Sequence, residues 1–258
     1  MDADEHDIFA GAADAYDEVL APAIFDVWAA EVTRRMGTPG GIALDIACGT
    51  GVLAAHMLDA GWTQIIGVDL SAPMLERAED RTPEAQWMAG DALDLPLDSD
   101  MADGLACSFA LMFILDPIAA LGEMARVTRA GAPVVVSTWL HLDECPGFAA
   151  IVEAVEAVGG PKRTHLLRAA FALGDADDLA EMADEVGLVV VDVSQYAIEA
   201  EFRSVDDLAR TYSTSLGLDD ADSAEVLQQE LARTLAPWMR GDEVVFPMAG
   251  LILEARSS

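Results

Sequence analysis

The stretch LDIACGTGVLAAHM, Leu44 to Met57, decides the fold. An apolar run carrying one acid leads into Gly49, Thr50 and Gly51, and apolar residues at helical spacing follow. That pattern is a strand, a tight turn and a helix. Gly49 and Gly51 let backbone approach a ligand closely, and the amides that open the next helix suit an anion. Gly49-x-Gly51-x-x-Ala54 fits the Gly/Ala form of the dinucleotide fingerprint. With Asp45 included, the same turn also fits a different ligand.

Outward from this turn, short apolar runs alternate with helical stretches. A helical arm is expected from Ile8 to Met36, with Pro22 beginning its second part and Gly37 to Gly41 ending it. Strands are expected at Ile42–Ile46, Gln64–Val68, Gln86–Met88, Gly104–Cys107 and Pro133–Trp139. Helices fall between them: one from Gly51 to Ala60, one that Ser71 caps and Pro73 starts through Ala78, and one in DPIAALGEMARVTRAG. Such alternation makes an α/β domain, a parallel sheet with helices on both faces. Later come helical spacings at Phe148–Val158 and Asp178–Val186, a sixth strand at Leu188–Val193 and a mostly helical segment from Ser204 to Met239. Strand character returns at Val244–Ala255, where Pro247 and Gly250 place the true strand start near Met248. The chain reads as one domain, 1–258: an arm at 1–41, a core at 42–139, and insertions at 143–175 and 204–239 lying over the sheet.

Composition excludes several function classes. Fourteen Lys plus Arg, of which only Lys162 is a lysine, stand against 46 Asp plus Glu, for a net charge of −32. That charge repels nucleic-acid phosphates and anionic membranes. It fits either an acidic, Arg-for-Lys surface or adaptation to a salty cytoplasm. The longest uncharged apolar run, Leu105 to Leu115, falls short of a membrane span, and the start MDADEHD lacks signal-peptide character. Cys48, Cys107 and Cys145 are widely spaced and give no metal site. The expectation is a soluble cytoplasmic protein, a monomer or homodimer, with no metal.

Three acids bear on the ligand. Asp69 closes the second strand, where a carboxylate can accept from two ribose hydroxyls. Asp45 points into the space of a pyrophosphate, which it would repel, yet it favours an ammonium or sulfonium. Asp91, past the third strand, can accept from an adenine amino group while the Ala92 amide serves the ring nitrogen. An ammonium and sulfonium, a ribose and an adenine in that order describe S-adenosylmethionine.

The stretches LDIACGTG, GVDLSAPMLERA, GDALDLPL and FALMFILDPIAALGEMARVTRAGAPVVVSTW occur in order from Leu44 to Trp139. On them the chain resembles a class I S-adenosylmethionine-dependent methyltransferase of the ubiquinone/menaquinone-biosynthesis-like, small-molecule branch. The resemblance covers nearly the whole chain, with cofactor motifs in the first half. It implies a Rossmann-like sheet of about seven strands, mostly parallel with the last antiparallel, and a helical cap. It further implies that Asp45, Ala47, Gly49 and Gly51 hold the methionine moiety and that Asp69 takes the ribose. Leu70 and Met74 then pack on the adenine, Asp91 and Ala92 read its edge, and Cys107, Ser108 and Phe109 line the sulfonium end. Tyr16 stands where the family's arm closes over the cofactor. One departure is Ala130-Gly131-Ala132-Pro133 in place of the usual Pro-Gly-Gly turn, which would soften that turn.

Plainer roles compete with these. Asp45, Asp69 or Asp91 could cap a turn or helix. Cys48 and Cys107 suit small buried apolar residues. Met112, Phe113, Tyr212, Trp238 and Met239 fit the core as well as an acceptor pocket. His56 reads as structural, and His141, just beyond the fifth strand, is the candidate base. The expected reaction is methyl transfer to a small-molecule acceptor, leaving S-adenosylhomocysteine. Alternatives are an NAD(P)-dependent oxidoreductase and a catalytically idle S-adenosylmethionine-binding regulator.

Overall fold

The computed structural model describes residues 16–218 and 220–258. The expected start of the arm, residues 8–15, lies outside the described residues. Its described part is a π-helical stretch, Tyr16–Phe25, running directly into α1, Asp26–Arg35. Then follow β1 (Ile42–Ile46), α2 (Val52–Ala60), β2 (Gln64–Asp69), α3 (Ala72–Arg81), β3 (Gln86–Ala89), β4 (Gly104–Ser108), α4 (Pro117–Val127) and β5 (Pro133–Trp139). The second half holds α5 (Pro146–Gly159), α6 (His165–Ala169), α7 (Ala176–Glu185), β6 (Val189–Phe202), α8 (Val205–Ser215), α9 (Ala221–Thr234), β7 (Met239–Arg240) and β8 (Glu243–Arg256).

All eight strands share one sheet in the order β3-β2-β1-β4-β5-β8-β6, with β7 paired to β8. The first five strands run parallel; β8 is antiparallel to β5 and to β6. The expected α/β sheet with an antiparallel last strand is therefore present. Strand order reverses between β1 and β4, and in open sheets of this kind ligands bind beyond the strands' carboxyl ends at such a reversal. The apolar strand runs are the reason for the burial: Leu44, Leu105 and Val136 are fully buried between the helical layers.

Four expectations change. α3 continues to Arg81, and the Ser71 hydroxyl caps nothing: it is buried without a partner, and the Asp69 carboxylate accepts from the Ser71 amide instead. β6 runs on to Phe202 rather than ending at Val193, because it continues to pair with β8 beyond the end of β5. β8 starts at Glu243, not near Met248. Between Val245 and Ala249 it has a strand neighbour on one side only, so Pro247 sits in it without breaking a second ladder. At Gly250 a Cβ would lie 2.6 Å from the Thr138 carbonyl and 3.0 Å from the Trp28 ring, so this glycine serves close packing. The Ala130–Pro133 turn is tied to Ser257: the Gly131 amide donates to the Ser257 carbonyl, and the Ser257 amide donates to the Ala132 carbonyl.

The arm is fixed by Trp28, which is fully buried. Its ring meets Phe109 at 4.9 Å, Tyr196 at 5.4 Å and Trp139 at 5.6 Å, each edge to face. Such pairs contribute about 0.5–1.5 kcal/mol each beyond their buried area. α1 thereby lies along the sheet, with Trp28 at the carboxyl ends of β4 and β5, Met36 near Gly104 at the start of β4 and Arg35 paired with Glu254 of β8. On the far side, α9 packs on both α5 and α8, and α8 reaches the Tyr16–Phe25 stretch.

Candidate active site

Past β1 the backbone turns through Ala47, Gly49 and Gly51, all at positive φ (54°, 53° and 76°). The Cys48 amide donates to Val68 and the Gly51 amide to Cys48, closing the turn against β2. A Cβ at Gly51 would stand 2.7 Å from the Trp87 ring, and one at Gly67 2.3 Å from it. Trp87 therefore presses the turn into place from β3. A Cβ at Gly49 would meet nothing, so the turn faces open space there.

Asp69, at the end of β2, accepts from the Gly49 amide and from the Ser71 amide, both at 2.8 Å. Its carboxylate thus fastens the glycine turn to the start of α3, part of the capping role that competed with ribose binding. Asp45 is different. It is 2% exposed, and its Oδ2 has no hydrogen-bond partner. Burial pushes its carboxyl up to about 8; an amide at Ala54 draws it partly back and the Asp69 charge adds to the rise. A buried acceptor without a donor costs about 1–3 kcal/mol.

A cavity of about 50 Å³ opens on Asp45, Ala47, Gly49 and Thr50, walled by Ser108 from β4 and by Tyr16, Phe25 and Ala29 from the arm. None of the described residues lining it is basic. The Ser108 and Ser137 hydroxyls bond each other at 2.9 Å. Burial, with the charges of Asp69 and Asp17, pushes the Tyr16 phenol well above its usual range, and its ring stacks on Phe25 at 5.1 Å.

The expected site residues divide. Tyr16, Asp45, Ala47, Gly49 and Ser108 meet at the cavity, and Gly51 ends the turn that borders it. Leu70, 54% exposed, and the buried Met74 follow β2 and are outside the cavity lining. The Gly90 amide donates to the Asp69 carbonyl and holds the Asp91–Ala92 segment next to that end; Asp91 itself is exposed and accepts from the Leu93 amide. Cys107 and Phe109 are outside the cavity wall. Cys107 is core, its thiol pushed up to about 12 by burial and then by Asp45. Phe109, at φ 52°, stacks on Trp139 at 3.9 Å. Phe148 and Phe171 continue that ring cluster. His141 is exposed at the start of a short turn, Leu142–Glu144, apart from the cavity. Trp87, Phe25 and Ala29 were missed; Phe25 and Ala29, four apart on one helical face, offered the available signal.

Comparisons with known proteins bear on the family and the fold. The family model described as a methyltransferase domain matches residues 44–136. A demethylmenaquinone methyltransferase of Renibacterium salmoninarum is 31% identical over 67% of this chain and 78% of its own. Among solved structures, the YcgJ protein of Bacillus subtilis has a TM-score of 0.60 at 16% identity, covering 90% of this chain and 99% of that one. A Haemonchus contortus phosphoethanolamine N-methyltransferase in complex with S-adenosyl-L-methionine has a TM-score of 0.57 at 15% identity, covering 90% and 53%. The chain belongs to the class I S-adenosylmethionine-dependent methyltransferases of the menaquinone/ubiquinone type. It is an enzyme that moves the methyl group of S-adenosylmethionine to a small-molecule acceptor, and none of these matches supports the oxidoreductase alternative. No described helix is long and apolar enough to cross a membrane.

Proposed function

We propose that the chain methylates an uncharged, ring-bearing small molecule, of the kind its Renibacterium relative's name indicates, and that the Asp45 cavity takes the methionine end of the cofactor. Asp45 carries this reading: a buried carboxyl oxygen without a hydrogen-bond partner, in a cavity whose described wall has no basic group, suits a cation, which favours loss of its proton, and offers a pyrophosphate no counter-charge. In this reading Asp69 accepts from the ribose hydroxyls, Leu70 and Met74 flank the adenine, and Asp91 with the Ala92 amide reads its edge. The bound cofactor supplies a methyl group already activated on sulfur, so the chain's task is proximity and alignment. Phe109, Trp139, Phe148 and Phe171 form a buried, uncharged ring cluster past β4 and β5; in this reading its rim meets the acceptor and favours a flat molecule over an amine or phosphate. Residues 143–175 and 204–239 cap that side. No base is assigned, since exposed His141 stands apart. The acidic surface favours a cytoplasmic protein that does not bind nucleic acid, working as a monomer or homodimer.

Calorimetry with S-adenosylmethionine, S-adenosylhomocysteine and NADH tests the cofactor site, and labelled-methyl transfer to demethylmenaquinone, simple phenols and phosphoethanolamine tests the acceptor. Asp69→Ala should weaken cofactor binding by about ten- to a hundredfold, since hydrogen bonds to a charged group contribute roughly 1.5–3 kcal/mol. Tight NADH binding with no response to S-adenosylmethionine would sink the cofactor reading. Transfer to phosphoethanolamine alone would sink the acceptor.

A further inference from the structure

A single side chain spans the glycine turn and the arm. Arg81, in the last turn of α3, donates from Nε to the Thr50 carbonyl at 2.9 Å, and its other end forms an ion pair with the Asp17 carboxylate. Thr50 belongs to the turn that walls the cavity on one side; Asp17 adjoins Tyr16, which walls it on the other. Both members of the ion pair are partly buried.

The two ends of this span differ in how firmly they are held. The post is rigid. Ala78, one turn before Arg81, is fully buried, and the site of the Gly51 Cβ lies 3.1 Å from its methyl, so α3 and the glycine turn are in direct contact. The arm is anchored from Ala21 onward, by the buried Ala21, Ala23 and Ile24 and by Trp28 in the ring cluster. The Tyr16–Phe25 stretch buries Ala21, Ala23 and Ile24 towards its second half and packs on α1, α2, α8 and β6, while its first turn is held by the Tyr16–Phe25 stacking and by Arg81. The space this leaves beside Asp45 is about 50 Å³, where ligand sites commonly measure roughly 300–1,000 Å³. The methionine end of the cofactor needs more room beside Asp45 than this, and the arm, with Tyr16, Phe25 and Ala29, is the wall that lies across the cavity from the glycine turn; Asp17 adjoins Tyr16.

We propose that Arg81 is a strap that ties the arm to the glycine turn and thereby gates admission and release of the cofactor, a proposal resting on the reading that the cofactor occupies the Asp45 cavity. Arg81 acts here as a positioning residue. Its bond to Thr50 persists while its pairing with Asp17 breaks and re-forms, so the anchored end guides the arm back to one closed position.

The test uses the full chain, with Asp17→Asn removing the charge at nearly constant shape and Arg81→Gln removing both contacts. Amide hydrogen exchange across residues 16–25, without ligand, should speed up in Asp17→Asn by about two- to fivefold, the effect of losing a partly exposed ion pair. Stopped-flow binding of S-adenosylhomocysteine should show association and dissociation both faster by a similar factor, leaving Kd within about twofold. The double variant should equal Arg81→Gln alone, since the Asp17 effect passes through Arg81. If Arg81→Gln fails to fold, the Asp17→Asn kinetics decide. Parental exchange and parental rates in Asp17→Asn would overturn the strap. A weaker Kd with unchanged association would also overturn it, making Asp17 a ligand contact. A parent protein that does not bind S-adenosylhomocysteine would instead overturn the cofactor reading and the gate with it, while exchange in the arm still reports whether Arg81 restrains it.

Discussion

Asp45 holds a proton in the folded chain over a pH range where the unfolded chain gives it up. Its carboxyl rises from an ordinary 3.8 to about 8, chiefly through burial. Between about pH 4 and pH 8 the folded state therefore binds more protons than the unfolded one, and this group's contribution to stability falls as pH rises through that window. Asp45→Asn removes the dependence. Its melting temperature should exceed the parent's by several degrees at pH 7.5, with the gap closing towards pH 4, as scanning calorimetry would show; no gap at pH 7.5 would refute the assignment. A cationic ligand favours the ionised carboxylate, so cofactor affinity should climb between pH 6 and 8 in the parent and lie lower and flat in the variant. The gathering of Asp45 and the two glycines at one turn was legible because it follows from their spacing. Trp87 and Arg81 were not: the turn they brace lies some thirty residues away in the chain, and no local pattern marks such a contact. Asp69 was half legible, since the sequence suggested a ligand contact or a cap and the structure gives it two backbone amides already.

At the scale of elements, the helices α8 and α9 interrupt the sheet between β6 and β8 and pack on α5 and the arm rather than on the parallel core. Replacing residues 204–239 with a short linker should therefore reduce acceptor turnover at least tenfold while cofactor affinity, measured by calorimetry, changes little. Equal loss of both would make this segment part of the cofactor fold. The core strands were legible because buried parallel strands are short, continuous apolar runs with glycines between them. The long antiparallel pair was not. Tyr196, Ile198, Ala200 and Phe202 alternate with residues that include two glutamates, a period-two signal that the polar Asp192, Ser194 and Gln195 before it masked. Pro247 and Gly250 misled for the opposite reason: each breaks strands in general, and each is tolerated here by a particular neighbour or a missing one.

Over the whole molecule, the basic residues cannot neutralise the acids, and 32 negative charges remain in excess. Ion pairs such as Arg35 with Glu31 and Glu254 fasten α1 to β8, but 14 Lys plus Arg are too few to pair with 46 acids. Molar salt shortens the screening length to about 3 Å and relieves that repulsion more than it weakens the few pairs. The melting temperature should rise between low salt and molar KCl, and a flat or falling curve would count against adaptation to salt. The sheet order carries a different consequence, for how the chain is made. β8 follows every other strand in sequence yet lies between β5 and β6, so β6 has no partner until translation has passed Arg256. At about 5–20 residues per second, the ribosome needs on the order of ten seconds to go from β5 to the end of β8. During that interval the apolar edge of β5 stays open, and a nascent chain stalled short of Arg256 presents two unjoined pieces of one sheet to whatever chaperone is near.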